Sequence, residues 1–308
     1  MRIAIYGTGA MGGYFGAKLA LAGNDVTFIA RGQQLAALQT DGLTLDGTEE
    51  QFTLNPVRAT ANPADIGPVD AVLVGVKTWQ VEEVAARLTP LIEPQTRVLT
   101  LQNGVEAPQQ IARQIGAEHV LGGVCRGFFF VEAPGKIRHV GVQPSIIFGQ
   151  MDNSRTPEAE NVLVALQEAG IQSSIPADIQ VALWEKFLMV SALSGLGAVT
   201  QSPIGPIRDY APTRRMLTDA MDEIFAVAVA HQVNLQPDFL EGCMDFIETF
   251  PPEATTSMQR DWTDGYPSEL DAQTGAVVRL GQAVGVETPL NTFIYNSLIL
   301  RERQARGL

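Results

Sequence analysis

The sequence of 308 residues predicts an α/β domain with a mostly parallel sheet, followed by an all-α domain. Three observations lead to this fold class. A glycine-rich turn joins a strand to a helix near the amino terminus, short apolar runs alternate with helical stretches through the first half, and strand patterns stop after Pro176. We therefore predict that residues 1–176 form the first domain and residues 177–308 the second.

The glycine-rich turn predicts a Rossmann-type dinucleotide-binding domain. Residues 3–6 read as an apolar strand, and a helical pattern begins at residue 11. In such a turn the first glycine permits a tight bend, the second lets the backbone approach a pyrophosphate, and the third lets the helix pack on the strand. A lone motif of this kind is weak, but its place between a strand and a helix makes it specific. The predicted cofactor-binding residues are Gly7, Thr8, Gly9, Ala10, Met11 and Gly12.

The end of the second predicted strand, residues 25–30, indicates which dinucleotide is bound. NAD sites usually carry Asp or Glu at this position to bind the ribose hydroxyls, whereas this sequence continues Ala30-Arg31-Gly32. The planar guanidinium of Arg31 can bind a 2′-phosphate. The alternative is that Arg31 is an ordinary solvent-exposed loop cation. The pattern favours NADPH/NADP as the cofactor.

Composition excludes several classes of partner. A net charge of −13 argues against a nucleic acid or an anionic membrane as the partner. Cys125 and Cys243 are far apart and match no metal-binding spacing, so we predict no metal site and a reducing, cytoplasmic location. Residues 181–200 are apolar enough to span a membrane, but Glu185 and Lys186 near their start favour a buried core helix.

The remaining elements follow from hydrophobic periodicity and turn residues. In the first half, we predict strands at residues 71–76, 98–102, 120–125 and 171–175, and helices at 11–22, 80–88, 108–115 and 158–169. Residues 43–45 and 51–54 are expected to form a hairpin, and short strands at 128–131, 136–139 and 145–148 an antiparallel extension at one edge of the sheet. In the second half, we predict helices at 179–200, 214–231, 237–250, 268–284 and 289–303, the last capped by the Thr288 hydroxyl before Pro289.

Several polar residues follow predicted parallel strands, whose carboxyl ends meet at one edge of an open sheet. The glycine turn follows the first strand and Arg31 the second, while Lys77 and Asn103 follow the next two. Lys77 could instead be an exposed lysine at a strand end, and Asn103-Gly104 a turn chosen for its backbone geometry. The shared position of Lys77 and Asn103 favours a role in a ligand-binding site at this edge of the sheet.

Lys186 is the most informative residue of the second half. It lies within an apolar helical stretch, with Val190 and Ser194 on the same helical face. Burial lowers the pKa of a lysine towards neutrality, which suits a proton donor for carbonyl reduction. The alternative is a lysine whose ammonium extends to solvent. Glu269, in the first turn of a predicted helix, could serve the helix dipole, and Ser257 could cap a short helix.

The order and spacing of these motifs resemble the ketopantoate reductase family over nearly the whole chain. The motifs are the glycine turn, Val76-Lys77, Leu101-Gln102-Asn103-Gly104, Trp184-Glu185-Lys186, Thr256-Ser257-Met258 and Glu269. The resemblance implies a helical bundle like that of 6-phosphogluconate dehydrogenase. It also implies that Lys186 is the general acid and that Glu269 orients that lysine and contacts the substrate. Asn103 and Lys77 would hold the nicotinamide end, and Ser257 would bind the substrate carboxylate or hydroxyl.

The chain departs from the family at positions that bind the substrate in family members. Family members usually carry asparagines four and eight residues after the lysine, and these bind the hydroxyls and carboxylate of pantoate. Here the positions hold Val190 and Ser194, so we predict that both are altered substrate-binding residues beside Asn103. An unpaired polar group on a buried substrate costs about 1–3 kcal/mol. The departure suggests a more apolar 2-oxo acid or ketone.

The sequence therefore predicts an NADPH-dependent reductase of ketopantoate or a related small 2-oxo acid. A 3-hydroxyacid dehydrogenase or an imine reductase with a similar two-domain plan is an alternative. A non-catalytic NADPH sensor is another, although a sensor would need neither Lys186 nor Glu269. The helical half could support a homodimer.

Overall fold

A computed structural model describes residues 1–47 and 51–308 and divides the chain into two units. The first unit comprises Met1–Gln102 and Ala107–Ile179, and the second comprises Asn103–Glu106 and Gln180–Leu308. The predicted fold class, an α/β sheet domain followed by an all-α domain, is confirmed. The short segment Asn103–Glu106 follows a sheet strand in the chain but belongs to the helical unit.

The first unit is built on a single mixed sheet. Its described strands are β1 Arg2–Tyr6, β2 Asp25–Ile29, β3 Leu43–Asp46, β4 Gln51–Leu54, β5 Arg58–Thr60, β6 Ala71–Val74, β7 Arg97–Thr100, β8 Val120–Ala133, β9 Lys136–Gln150 and β10 Gln172–Ser174. Their order is β4-β3-β9-β8-β7-β6-β1-β2-β5, with β10 beside β9. Six neighbouring strands are parallel to one another, in the spatial order β8, β7, β6, β1, β2 and β5. Their carboxyl ends therefore share one edge of the sheet.

Helices cover both faces of this sheet. They are α1 Ala10–Leu21, α2 Gly32–Thr40, α3 Val81–Ala85, α4 Ala107–Ile115 and α5 Pro157–Glu168, with 3₁₀ turns at Pro63–Asp65, Thr78–Gln80, Thr89–Leu91 and Ala117–His119. Alternate residues of β1 enter different cores, because successive side chains of a strand point to opposite faces. Ile3 and Ile5 pack in the core that contains Phe15, whereas Ala4 and Tyr6 pack in the core that contains Val84.

The antiparallel extension differs from its prediction. The expected short strands merge into the long pair β8 and β9, because Gly127 is accommodated at an irregularity in the register between Arg126 and Phe128. The pair is also not at the sheet edge, since β3 continues the sheet beyond β9 and the predicted β3–β4 hairpin forms the edge itself. Pro134-Gly135 does form the predicted turn, with Gly135 at φ +75°.

The second unit is helical. Its described helices are α6 Ile179–Thr200, α7 Ile204–Asp209, α8 Ala211–Ala230, α9 Phe239–Glu248, α10 Ser257–Thr263, α11 Thr274–Val284 and α12 Pro289–Ala305. The start of α12 corrects one prediction, because the Thr288 hydroxyl makes no capping hydrogen bond. The carboxylate of Glu223 accepts from the backbone N–H groups of Leu290 (2.8 Å) and Asn291 (2.9 Å) instead. A distant carboxylate from α8 thus replaces the local cap.

Helix α6 is long and apolar enough to cross a membrane by length and composition. However, 67% of its most apolar window is buried inside the protein, as in a core helix. The backbone of α6 approaches its neighbours closely, since a Cβ atom built on Gly195 would lie 2.9 Å from Ile294 of α12. The prediction of a buried core helix is therefore confirmed.

Candidate active site

The glycine turn has the form of a phosphate cradle. Gly7 has φ +93°, and a Cβ atom on it would lie 2.5 Å from the Val76 side chain. A Cβ atom on Gly12 would lie 2.2 Å from the backbone oxygen of Gly7, which leaves no space for a side chain. A Cβ atom on Gly9, by contrast, would project into open space. Two glycines are thus required by packing, whereas the third keeps a space open.

The amino terminus of α1 is suited to binding an anion. Gly9 is its N-cap residue, no side chain caps the helix, and the first turn carries no acidic residue. The first backbone N–H groups of the helix are therefore available to a negatively charged ligand. The Thr8 hydroxyl donates to the backbone oxygen of Ile29 (3.3 Å), so this side chain fixes the turn to β2. These features fit the pyrophosphate of a dinucleotide, which the turn would hold through its backbone.

We expect Gly9→Ala to bind dinucleotide at least about tenfold more weakly without losing thermal stability. The added methyl group would enter the cradle but would meet no protein atom within 4 Å. Gly9 has φ −81° and ψ −158°, a backbone conformation that alanine also adopts. Calorimetric titration with NADPH and thermal unfolding together check this result. Equal affinity in the variant would mean that the phosphates do not approach this turn.

Arg31 has a partner that the sequence does not indicate. Its Nη2 atom donates to Oε1 of Glu83 at 2.5 Å, and both side chains are half exposed. Glu83 lies on α3, which follows β6, so the carboxylate comes from a different loop region at the same edge of the sheet. Although the tip of β2 carries no carboxylate of its own, the fold supplies one beside Arg31.

Lys77 lies at the end of β6, where the sequence places it. It is the N-cap residue of the 3₁₀ turn Thr78–Gln80 and is exposed. Its Nζ atom lies 5.8 Å from the centre of the Trp79 ring, which is within the range of a cation–π interaction. An aromatic ring and an ammonium group therefore lie together after β6, the strand that pairs with β1.

Asn103 and Glu269 meet within the second unit. The Nδ2 atom of Asn103 donates to Oε2 of Glu269 at 2.9 Å, although the two residues are 166 positions apart in the sequence. Gly104, at φ +93°, could not carry a side chain, because its Cβ atom would lie 2.7 Å from the backbone oxygen of Ala272. The geometry of the turn thus requires Gly104, whereas the role of Asn103 at the nicotinamide stays a prediction.

Glu269 does not lie in the first turn of a helix, as the sequence predicts. Helix α11 begins at Thr274, and Glu269 lies in the turn that precedes it. The preceding residue, Ser268, is held by the fully buried carboxylate of Glu302, which accepts from the Ser268 backbone N–H (3.0 Å) and hydroxyl (2.6 Å). These tertiary hydrogen bonds, absent from a local pattern, delay the start of the helix.

Glu302 is the residue of this region that sequence reasoning missed. It also accepts from Nε of Arg306 at 2.6 Å, and Arg306 in turn donates to the backbone oxygen of Ser268 at 2.7 Å. Glu302 of α12 and Arg306, the C-cap residue of that helix, thus clamp the residue immediately before Glu269. The available signal was the pair of opposite charges four residues apart near the end of the predicted helix.

The candidate face of α6 combines Lys186, Val190 and Ser194. Lys186 and Val190 are partly buried and Ser194 is fully buried. In the described part of the chain, the hydroxyls of Ser191 and Ser194 have no hydrogen-bond partner. The same holds for the buried side chains of Gln273 and Thr274, next to Glu269 at the start of α11. Buried polar groups normally find partners, so this region is suited to a polar ligand or to water.

Ser257 is placed differently from the other candidates. It is exposed and is the first residue of α10, whose cap is Thr256. The Thr256 hydroxyl accepts from the backbone N–H of Gln259 at 3.2 Å, so Ser257 is not the capping residue. Among residues 1–47 and 51–308, no group of three or more His, Cys, Asp and Glu side chains is arranged to hold a metal ion.

The fold and these features define a class of protein, an oxidoreductase with a dinucleotide-binding unit and a helical unit. The sequence model of the ketopantoate reductase PanE/ApbA family matches residues 3–153. The model of the carboxyl-terminal domain of the same family matches residues 178–302. The chain belongs to the ketopantoate reductase family, as its sequence motifs indicated. It is accordingly an oxidoreductase of the kind that acts on CH–OH groups.

Individual relatives agree with this assignment. A 2-dehydropantoate 2-reductase from Mesorhizobium japonicum is 32% identical, and the match covers 94% of each chain. The crystal structure of a PanE/ApbA family ketopantoate reductase from Ralstonia eutropha JMP134 is 30% identical with a TM-score of 0.90, and covers 99% of this chain and 100% of its own. A D-mandelate dehydrogenase solved with NADH and anilino(oxo)acetate is 22% identical with a TM-score of 0.89 over 99% of both chains, which shows a shared fold.

Proposed function

We propose that the chain reduces ketopantoate, or a closely related small 2-oxo acid, to the 2-hydroxy acid with NADPH. The observation that carries this proposal is the hydrogen bond between Asn103 and Glu269 (2.9 Å). It joins two residues from separate family motifs within the unit that also carries Lys186. Their association supports a shared role of the two motifs in one site.

The cofactor would be held mainly by residues of the first unit, together with Asn103 of the second. The backbone of the glycine turn and the uncapped start of α1 would bind the pyrophosphate, and Arg31 would bind the 2′-phosphate. Lys77 and Asn103 would lie towards the nicotinamide end. When bound, NADPH supplies the hydride that reduces the carbonyl carbon.

The proton would come from the second unit. Lys186 would donate from Nζ to the carbonyl oxygen as negative charge develops there, which is general acid catalysis. Glu269 would orient the lysine and the substrate, and its own position is fixed by Asn103 and by the clamp on Ser268. The unpartnered hydroxyl of Ser194 would serve a polar group of the substrate. Exposed Ser257 would bind the carboxylate or hydroxyl end.

Val190 decides which 2-oxo acid is preferred. Its side chain offers apolar surface and no hydrogen bond, at a partly buried position one turn from Lys186. A hydroxyl of the substrate facing it would be left unpaired at a cost of about 1–3 kcal/mol. We therefore include 2-oxo acids with apolar side chains beside ketopantoate in the proposed substrate range.

NADPH oxidation, followed by absorbance with purified protein, tests the proposal. Ketopantoate is compared with 2-oxo acids of the same length that lack its hydroxyl group. Fast turnover of ketopantoate would support the role named by the relatives. Faster turnover of a dehydroxylated acid would support the same chemistry with a changed substrate. Binding of NADPH without turnover of any carbonyl would contradict the proposal and favour a sensor.

We expect Arg31→Ala to weaken NADPH binding about tenfold or more and to change NADH binding little. A hydrogen bond to a charged group contributes about 1.5–3 kcal/mol, and only NADPH carries the 2′-phosphate. Calorimetric titration with both dinucleotides checks this result. A variant that keeps the wild-type preference for NADPH would place the 2′-phosphate elsewhere.

A further inference from the structure

Arg31, Glu83 and Arg87 form a small charged cluster in the first unit. Glu83 Oε1 lies 2.5 Å from Nη2 of Arg31 and 4.0 Å from Nη1 of Arg87, one helical turn further along the chain. The carboxylate therefore lies between two guanidinium groups. The hydrogen bond from Arg31 lowers the pKa of Glu83. The carboxylate is ionised at neutral pH, as an ordinary glutamate also is.

This cluster lies where the proposed cofactor has its distinguishing group. In a doubly wound sheet, the adenosine ribose is bound beyond the end of β2, where Arg31 is the N-cap residue of α2. A 2′-phosphate carries a charge of about −1.5 to −2 at neutral pH and binds the same guanidinium donors as a carboxylate. Glu83 thus occupies the donor that the phosphate would use, and its charge has the same sign as the phosphate.

We infer that Glu83 competes with the 2′-phosphate of the cofactor for Arg31 and thereby limits the preference of this protein for NADPH over NADH. Glu83 is then a specificity-determining residue that acts from α3, outside the glycine turn and the β2 tip. The inference rests on the proposed function, because it requires that a nicotinamide dinucleotide binds at this edge of the sheet.

Arg87 sets the strength of this competition. When a phosphate binds Arg31, Glu83 keeps a cationic neighbour four residues away, in the turn that follows α3. The carboxylate need not be released to solvent alone, so its displacement is inexpensive. Without Arg87, Glu83 would depend on Arg31 alone and would compete more strongly. Substitutions of Glu83 and Arg87 are therefore expected to shift the preference in opposite directions.

The size of the effect follows from the exposure of the pair. Exposed ion pairs contribute little, and a carboxylate near a bound phosphate adds a repulsion that solvent weakens. We expect Glu83→Gln to lower the dissociation constant of NADPH roughly fivefold and that of NADH by less than about twofold. Arg87→Gln is expected to raise the dissociation constant of NADPH by a similar factor.

Calorimetric titration of the full-length protein tests this inference. The ligands are NADPH, NADH and the matched fragments adenosine 2′,5′-bisphosphate and 5′-AMP, which differ only in the 2′-phosphate. Glu82→Gln is the matched control, since it removes the same charge from the preceding, exposed position of the same helix. Circular dichroism establishes that each variant is folded.

The results of this experiment distinguish a failure of the inference on Glu83 from a failure of the proposed function. A selective gain for the 2′-phosphorylated ligands in Glu83→Gln, absent from Glu82→Gln, would support the inference. Equal gains in both variants would show a general charge effect and would overturn it. An unchanged ratio of NADPH to NADH affinity in Glu83→Gln, with both dinucleotides bound by the wild type, would also overturn it and leave the proposed function intact. A wild-type protein that binds neither dinucleotide would overturn both.

Discussion

Replacing Lys186 by alanine is expected to reduce turnover by a factor of about 10² to 10⁴ while the affinity for NADPH stays within about twofold. Lys186 lies on the partly buried face of α6, in the unit that does not contain the glycine turn. Its loss would remove the donor that protonates the carbonyl oxygen, whereas the groups proposed to bind the cofactor are unaffected. Steady-state kinetics and calorimetric titration measure the two effects separately.

The exposed Lys136 of β9 offers a matched control for this experiment. Lys136→Ala removes the same side chain and charge and should retain wild-type turnover. Added small primary amines should restore part of the activity of Lys186→Ala, because they can occupy the space of the lost ammonium. Parallel losses of turnover and NADPH affinity in Lys186→Ala would instead assign the lysine to cofactor binding.

Replacing Glu302 by alanine is expected to lower the free energy of unfolding by about 3–5 kcal/mol. Glu302 is fully buried, and its removal would leave Arg306 and the Ser268 backbone N–H without their acceptor. Breaking a buried ion pair is costly because the remaining charge has no partner. Urea unfolding followed by circular dichroism measures the change.

The same substitution should also affect catalysis, since Glu302 holds the residue that precedes Glu269. Glu287→Ala is a control, because Glu287 is exposed and should change the stability by less than about 0.5 kcal/mol. Glu302→Gln keeps the shape of the side chain and should lie between the wild type and the alanine variant. A Glu302→Ala protein as stable as the wild type would show that the clamp contributes nothing to the fold.

The features that the sequence predicts well are those determined locally. The glycine turn, the parallel strands and the long apolar helix α6 each carry a pattern of period two or 3.6 or a steric requirement within a few residues. Two elements of the first unit carry weaker patterns and were missed. Helix α2 buries only Leu38 and has no side-chain cap, and β5 has three residues. Neither provides enough periodic apolar residues to distinguish it from a loop.

The site depends on contacts that no local pattern contains. Arg31 and Glu83 are 52 residues apart, and Asn103 and Glu269 are 166 apart. The sequence brings Arg31 and Asn103 to the carboxyl ends of parallel strands, which follows from topology alone. Which carboxylate each one meets depends on the packing of α3 and of the turn before α11. Tertiary hydrogen bonds of this kind also explain why α11 begins at Thr274 and not at residue 268, as the sequence predicts.

The burial of α6 has a consequence for how the protein is made. Ribosomes synthesise this apolar helix before the helices that cover it, and Ile294, which contacts the backbone at Gly195, follows about a hundred residues later. Until then, the nascent chain presents an uncovered apolar surface, the condition under which aggregation competes with folding. The native environment of α6 near Gly195 therefore cannot form until α12 has been synthesised.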